Sequence, residues 1–317
     1  MDIIISDDFD LDKITNSGQA FRIKVFNDGT YRFVTENHIL YIKKNNNAGD
    51  DHYDISMYSA EIMASTSEYT ANSSYTDSSE CATNSACIST SNCTPVNVTP
   101  ADEWDNVWVP YFDLNRSYRD IRSLVPSNDP YMKQAADYGI GLRILKQNPW
   151  EMLITFIISQ RKNIPAIKES VEKICAKYGQ AVTTPYEEFF LFPSAEEMSA
   201  ATLDELRKCS LGYRDTYILD AVDKVVSGNL NLRTLGSNDY DTIFNTLLSV
   251  RGVGAKVSNC ICLFAYAQFA AAPVDTWIAK VIDKYYGGIN PFPLYGDVAG
   301  IMQQYIFYYA QTHKEEF

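Results

Sequence analysis

Two side chains of opposite charge, Lys256 and Asp275, flank the part of this 317-residue sequence best suited to holding an anion. The stretch Leu247-Leu-Ser-Val-Arg-Gly-Val-Gly-Ala-Lys-Val-Ser-Asn-Cys-Ile-Cys-Leu-Phe264 reads as a helix end, a Gly252-Val253-Gly254 turn and a helix start. The glycines let the chain turn tightly with no Cβ between backbone and partner. The N–H groups of Gly254, Ala255 and Lys256 then point outward at a helix N-terminus, a site suited to a phosphate. Lys256 sits in the first turn of that helix, and the loop from Ala272 to Thr276 places Asp275 just before the next one. A lone Gly-x-Gly is most often a structural turn. Lys256 reads as a phosphate contact and Asp275 as an N-cap, but phosphate binding alone requires neither residue, so the pair also admits catalysis.

Other chemistries are poorly supplied. His38, His52 and His313 are the only histidines and stand far apart, which argues against a His-based zinc site or a Ser-His-Asp triad. Seven cysteines are too few and too scattered for a disulfide scaffold. Cys81, Cys87 and Cys93 recur every six residues without the paired spacing of zinc sites, and read as part of a repetitive linker. No run approaches 18 apolar residues, so no spanning helix is expected. The start Met1-Asp-Ile-Ile-Ile-Ser-Asp-Asp lacks the basic region of a secretory signal, and a cytoplasmic protein is expected.

The elements that carry these residues follow from pattern. Residues 1–44 read as strands and turns of a small antiparallel sheet. Asn27-Asp-Gly-Thr is a turn signal, 31–35 alternates apolar with polar, and 38–44 is strand-like. Of the 35 residues in 65–99, twenty are Ser, Thr or Asn, too little apolar surface to offset ordering entropy, so a flexible insert is expected there. From about Leu114 the period turns helical. Helices are predicted at 148–158, 164–178, 214–226, 239–249, 255–268 and about 298–311, with capping boxes at Ser194/Glu197 and Thr202/Glu205. The expected fold class is α+β. A small N-terminal antiparallel β-sheet domain covers 1–113 with its insert at about 62–101. A larger, all-helical domain covers 114–317, with the hairpin at 247–262.

A net charge of −13 argues at first against a nucleic-acid partner. Its distribution changes that. Residues 1–110 hold 17 acids and 6 bases, whereas 111–317 hold 23 acids and 21 bases, a net of only −2. The helical part is free to present a local basic face.

At the hairpin and its flanks the sequence resembles the 8-oxoguanine DNA glycosylase family of the helix-hairpin-helix, Gly/Pro-Asp superfamily. Further stretches resemble that family in its own order. They are Asn16-Ser-Gly-Gln-Ala-Phe-Arg22, like its N-terminal strand signature, and Tyr111-Phe-Asp-Leu. Next come Asn148-Pro-Trp-Glu-Met-Leu-Ile-Thr-Phe-Ile-Ile-Ser-Gln160 and Leu211-Gly-Tyr-Arg214. Pro273-Val-Asp275 and Ala299-Gly-Ile-Met-Gln-Gln-Tyr-Ile-Phe307 follow. The resemblance covers about 1–44 and 104–317; the insert has no counterpart. No Cys follows Cys262, so the iron-sulfur cluster of the endonuclease III and adenine glycosylase branches is absent. The alkylpurine branch lacks the hairpin lysine that Lys256 supplies.

The resemblance implies a bifunctional enzyme that excises 8-oxoguanine and cuts the strand. Lys256 would attack C1′, expel the base and form a Schiff base, with β-elimination following. Asp275 would stabilise positive charge at C1′ and assist proton transfer. The Gly18 carbonyl would accept the N7–H that oxidation creates. Phe307 and Cys260 would sandwich the flipped base, Gln303 would bond its Watson–Crick edge and Pro273 would line the pocket. By helical pattern alone Phe307 and Cys260 read equally well as core. On the DNA side the resemblance points to Tyr213 as the wedge and Arg214 as the opposite-base reader. Arg161, Asn163, Gly252 and Gly254 would lie along the strand. The sequence departs from the family at Arg161 (usually Asn), Ala166 (a second cytosine-reading Arg), Trp277 (His) and Arg251 (Pro), which puts strict cytosine preference in doubt. No cofactor and no side-chain metal site are implied; in relatives the hairpin carbonyls hold a monovalent or calcium ion, and here those carbonyls would be Leu248, Val250 and Val253. The expected partner is double-stranded DNA containing an oxidised base, with no membrane, for a monomer that is nucleoid-associated in a bacterium. The alternatives are a same-fold glycosylase with another damaged-base range and a non-catalytic hairpin DNA-binding module.

Overall fold

The computed structural model describes residues 1–49, 51–60 and 99–317. Nearly all of the expected insert, with Cys81, Cys87 and Cys93, lies outside the described residues. Among these, β1 (Asp2–Ile4), β2 (Lys24–Val25), β3 (Tyr31–Thr35), β4 (His38–Lys44) and β5 (His52–Ser59) form one antiparallel sheet in the order β1-β5-β4-β3-β2. A two-residue turn at Glu36 and Asn37 sets the β3–β4 register, pairing Thr35 with His38 and Tyr31 with Ile42. The region expected to hold only strands and turns also contains a short helix, α1 (Leu11–Asn16), which the Asp10 carboxylate caps by accepting from Lys13 N–H at 3.0 Å. Of Asn16–Arg22, read as a strand signature, Asn16 ends α1 and the rest belongs to the irregular link of residues 17–23 from α1 to β2.

The sheet is covered on both faces, which accounts for the continuous apolar run in β4. Phe33, Leu40 and Ile42 face Trp104, Trp108 and Phe112. Val34, Ile39 and Tyr41 face Val182, Phe189 and Leu191 on the other side. The latter belong to a hairpin of β6 (Ala181–Thr183) and β7 (Glu188–Phe190), so the C-terminal part is not all-helical. Strands of three residues are too short to show a period. Their cover also buries Arg32, which the alternation had assigned to solvent. It donates to Glu187 Oε1 at 2.8 Å and lies 4.1 Å from the Phe189 ring centroid.

The chain re-enters at α2 (Pro100–Glu103), runs through a π-helix (Trp104–Trp108) and α3 (Val109–Tyr111), and continues as helices. These are α4 (Tyr118–Ser123), α5 (Pro130–Tyr138), α6 (Pro149–Ser159), α7 (Ile164–Tyr178), α8 (Leu203–Lys208), α9 (Asp215–Val226) and α10 (Leu232–Leu235). They end with α11 (Tyr240–Leu248), α12 (Ala255–Tyr266), α13 (Thr276–Tyr285) and α14 (Ala299–Thr312). The Ser194/Glu197 box forms its two reciprocal bonds, at 2.7 and 3.1 Å, yet only turns follow it. α12 stops two residues short of expectation because Ala267 turns left-handed at φ 53°.

α6 is the axis of the helical part. Asn148 caps it, Pro149 occupies its first turn, and every residue from Trp150 to Ile158 is buried, as a helix apolar on all sides must be. Phe156 of α6 stacks on Phe264 of α12 at 5.6 Å. α14 closes on the same core at Gly300, where an added Cβ would stand 2.3 Å from the Ala271 carbonyl oxygen and 2.6 Å from Leu263 Cδ1. Backbone cannot yield there as a side chain can. Gly300→Ala is therefore expected to destabilise the protein by about 1–3 kcal/mol. An unchanged urea midpoint would show that α14 does not approach the core this closely.

Candidate active site

The hairpin forms as the glycines require. α11 ends at Leu248, Gly252 adopts φ +83°, and Gly254 is the N-cap of α12. Gly252 is doubly constrained, since a Cβ there would stand 2.2 Å from the Tyr217 ring. Its carbonyl accepts from Gln160 Nε2 at 3.0 Å, tying the C-terminal end of α6 to the turn. Ser258 donates to the Phe244 carbonyl at 2.9 Å and locks the two hairpin helices together. No side chain caps α12, and nothing lies within 4 Å of a Cβ built on Gly254. The first N–H groups of α12 thus open on free space, as an anion site needs.

Lys256, in the first turn of α12, is half-buried and has no ion pair among the described residues. Its Nζ lies 5.3 Å from the Phe156 ring centroid. One helical turn on, burial pushes the Cys260 thiol above its ordinary range. Lys256 opposes that shift by charge and hydrogen bond, and the Asp275 charge reinforces it. Cys260 is therefore a neutral, buried thiol within reach of both charged groups. Asp275 caps α13 as the sequence predicted: Oδ1 accepts from Trp277 N–H at 3.0 Å and from Ile278 N–H at 2.9 Å. Both bonds fall on one oxygen, which leaves Oδ2 without a partner among the described residues. Pro273 is buried two residues upstream.

The structure also unites residues from opposite ends of the chain. Gly18, at φ +74°, lies against Phe307: a Cβ on Gly18 would be 2.9 Å from Phe307 Cε1. Gln303, one turn earlier on α14, is only 3% exposed, and its Oε1 has no hydrogen-bond partner. Residues the sequence reading passed over hold this arrangement. Gln19 is fully buried. Its Nε2 donates to Ser17 Oγ at 2.7 Å and to the Arg143 carbonyl at 2.8 Å, and its Oε1 accepts from Leu145 N–H at 2.7 Å. Gln147 donates to the Gln19 carbonyl at 2.9 Å, and Gln304 donates to the Ser17 carbonyl at 2.5 Å. Each is a polar residue inside an apolar or irregular stretch. That was the available signal, but their partners are too distant in sequence to infer.

The residues read as DNA-facing divide. Tyr213 is 50% exposed, with its ring edge-on to Tyr217. Arg161 is exposed in a left-handed conformation at φ 52°. Arg251 is exposed, and its backbone N–H is held by Asp220 Oδ2 at 3.0 Å. Asn163 spends its side chain capping α7, accepting from Ala166 N–H at 2.9 Å. Arg214 is only 5% exposed, and its guanidinium donates to the Gln160 and Leu211 carbonyls. Trp277 meets Phe317 edge-on at 6.1 Å. A cleft of about 980 Å³ lies near the C-terminal end of α12, lined by Lys146, Trp150, Glu151, Leu191 and Tyr266. Among the described residues no three or more His, Cys, Asp or Glu gather to hold a metal, and no helix is long and apolar enough to cross a membrane.

Comparison with known proteins agrees with this arrangement. The profile of the 8-oxoguanine DNA glycosylase N-terminal domain matches residues 3–153, and that of the HhH-GPD superfamily base excision DNA repair proteins matches 154–303. The N-glycosylase/DNA lyase of Saccharomyces cerevisiae is 30% identical over 190 residues, 56% of this chain and 50% of the yeast protein, so the chain spans about half of that relative. A probable N-glycosylase/DNA lyase of Methanothermobacter thermautotrophicus is 29% identical over 229 residues, 63% of this chain and 72% of its own. The Clostridium acetobutylicum 8-oxoguanine glycosylase/lyase, solved with double-stranded DNA containing cytosine opposite 8-oxoguanine, superposes with a TM-score of 0.77 at 29% identity, covering 97% of this chain and 93% of that one. Matched in order from sheet to α14, the chain belongs to the 8-oxoguanine DNA glycosylase family of the HhH-GPD superfamily.

Proposed function

We propose that the protein is a base-excision repair enzyme that removes 8-oxoguanine from duplex DNA and then cleaves the strand as an abasic-site lyase. The observation that carries this is Lys256 in the first turn of an uncapped hairpin helix, with Cys260 one turn on and under the charge of both Lys256 and Asp275. A phosphate-binding module would need the helix terminus and nothing more. The open N–H groups of α12 hold a backbone phosphate and set C1′ of the extruded nucleotide beside Lys256. The neutral amine attacks C1′ and the glycosidic bond breaks, its electron pair leaving with the base, which takes up a proton. The nitrogen passes one proton to O4′ as the C1′–O4′ bond breaks and the sugar opens, leaving a protonated Schiff base. Loss of a C2′ proton then expels the 3′ phosphate. Oδ2 of Asp275, free of the cap, stabilises positive charge at C1′. Oδ1 stays committed to α13 and fixes the carboxylate.

On the base side, the Gly18 carbonyl accepts N7–H, Gln303 supplies its unpartnered Oε1 to the Watson–Crick edge, and Phe307 and Cys260 contact the faces, with Pro273 beside them. Tyr213 fills the gap in the duplex. Its exposure supports that role. The enzyme acts as a monomer on double-stranded DNA, with Gly252, Gly254, Arg161 and Arg251 along the strand.

Replacing the amine and keeping the amides isolates the nucleophile. Lys256→Gln is expected to abolish borohydride trapping and strand cleavage while duplex affinity stays nearly unchanged. A trapped adduct from this variant would eliminate Lys256 as the nucleophile.

Opposite-base reading depends on how many polar side chains remain free to do it. Ala166 removes one reader, and Asn163 and Arg214 are engaged with backbone. Arg161, exposed and flexible, meets acceptors on several bases. A lost base contact costs about 1–3 kcal/mol, so with so few retained discrimination should be shallow. Single-turnover excision against C, A, G and T is expected to fall within roughly tenfold. A cytosine preference of about a hundredfold would instead identify Arg161 or a released Arg214 as a full reader.

A further inference from the structure

Gln311 lies one turn beyond Phe307 and two beyond Gln303 on α14, and spacings of four place the three on one side of the helix. Its Oε1 is 3.9 Å from the point that a Cβ on Gly18 would occupy. That oxygen is buried and, like Gln303 Oε1, has no hydrogen-bond partner among the described residues. Native proteins rarely leave a buried acceptor unpaired. Two such acceptors, one helical turn to either side of Phe307 on one side of α14, mark a place shaped for a molecule that brings its own donors. Gln303 accounts for one. The other stands beside Gly18.

A primary amide presents an acceptor and a donor side by side. The oxidised edge of an 8-oxopurine does the same: N7–H lies next to O8. Unoxidised guanine has a bare N7 and a C8–H there, and cannot match it. We infer that Gln311 is a further specificity-determining residue for the damaged base. Its amide reads the N7–H and O8 edge beside the Gly18 carbonyl, with Nε2 donating to O8 and Oε1 sharing N7–H. The backbone carbonyl of Gly18 offers no donor for O8, so Gln311 supplies what Gly18 cannot. This inference rests on the function proposed above.

8-Oxoguanine and guanine share one Watson–Crick edge, so any preference between them comes from the oxidised edge. The test measures equilibrium binding of Lys256→Gln protein to duplexes that differ only in carrying guanine or 8-oxoguanine. The readout is the ratio of the two dissociation constants, in which a uniform change in fold or affinity cancels. Adding Gln311→Leu is expected to lower that ratio about tenfold, the worth of one hydrogen bond. Adding Gln311→Glu, which sets a carboxylate oxygen against O8, should lower it further. A purely structural role predicts no change in the ratio, and a solvent-facing helix end would favour Glu over Leu. A ratio that survives both substitutions overturns the inference and leaves the proposed function standing. If the Lys256→Gln protein itself fails to prefer 8-oxoguanine, the proposed function falls and the inference falls with it.

Discussion

The buried amide of Gln19 is the constraint on which the meeting of Gly18 with Phe307 depends. It bonds to Ser17, to the Arg143 carbonyl and to Leu145 N–H, and its own carbonyl accepts from Gln147. A loop of residues 17–23 with no regular structure is thereby fixed as firmly as a strand. Gln304 adds a bond from α14 to the Ser17 carbonyl. Gly18 consequently meets Phe307, although nearly the whole chain separates them. Loops have few internal bonds with which to hold a shape. This one is held from outside, by groups whose buried partners leave no low-energy alternative.

Arg143 performs a comparable task for the domain junction. Its side chain is fully buried and donates to the Asp8 and Asp113 carbonyls, each at 2.7 Å, and to the Asp7 carboxylate at 2.8 Å. Arg22, in the link before β2, reaches Glu172 of α7, and Arg32 of β3 reaches Glu187 in the β6–β7 turn. Removing one partner of such a pair would leave an uncompensated buried charge, the expensive case. The sheet is thus a support for the recognition loop, clamped on one face by the Trp104–Phe112 segment and on the other by β6 and β7.

The proposed grip of an acidic chain on DNA is reconciled by where its charge lies. The helical two thirds is almost neutral, and Arg161 and Arg251 stand near the hairpin and Tyr213 with no ion pair among the described residues. Charges further away than about 10 Å are largely screened at physiological salt. The local field sets affinity, and the net charge does not.

The hairpin and its flanking loop were legible in the sequence because they are local. Gly252, Gly254, Lys256 and Asp275 occupy a helix–turn–helix–loop whose conformation their own residue types specify, and the Asn148, Thr202 and Asp275 caps are visible as single residues with their acceptors. The β3–β4 hairpin and α6 follow from composition in the same way. The β6–β7 hairpin was hidden, being short and existing only because the sheet needs cover. The burial of Arg32 and Arg214, the engagement of Asn163 in a cap, and the network around Gln19 were equally hidden. Each is decided by a partner a hundred residues away or by competition for one side chain. Periodicity and propensity describe what a segment prefers with its neighbours. Which buried donor meets which acceptor is settled only when distant segments are packed together, and here that settlement places Gly18, Gln303, Phe307 and Gln311 around one site.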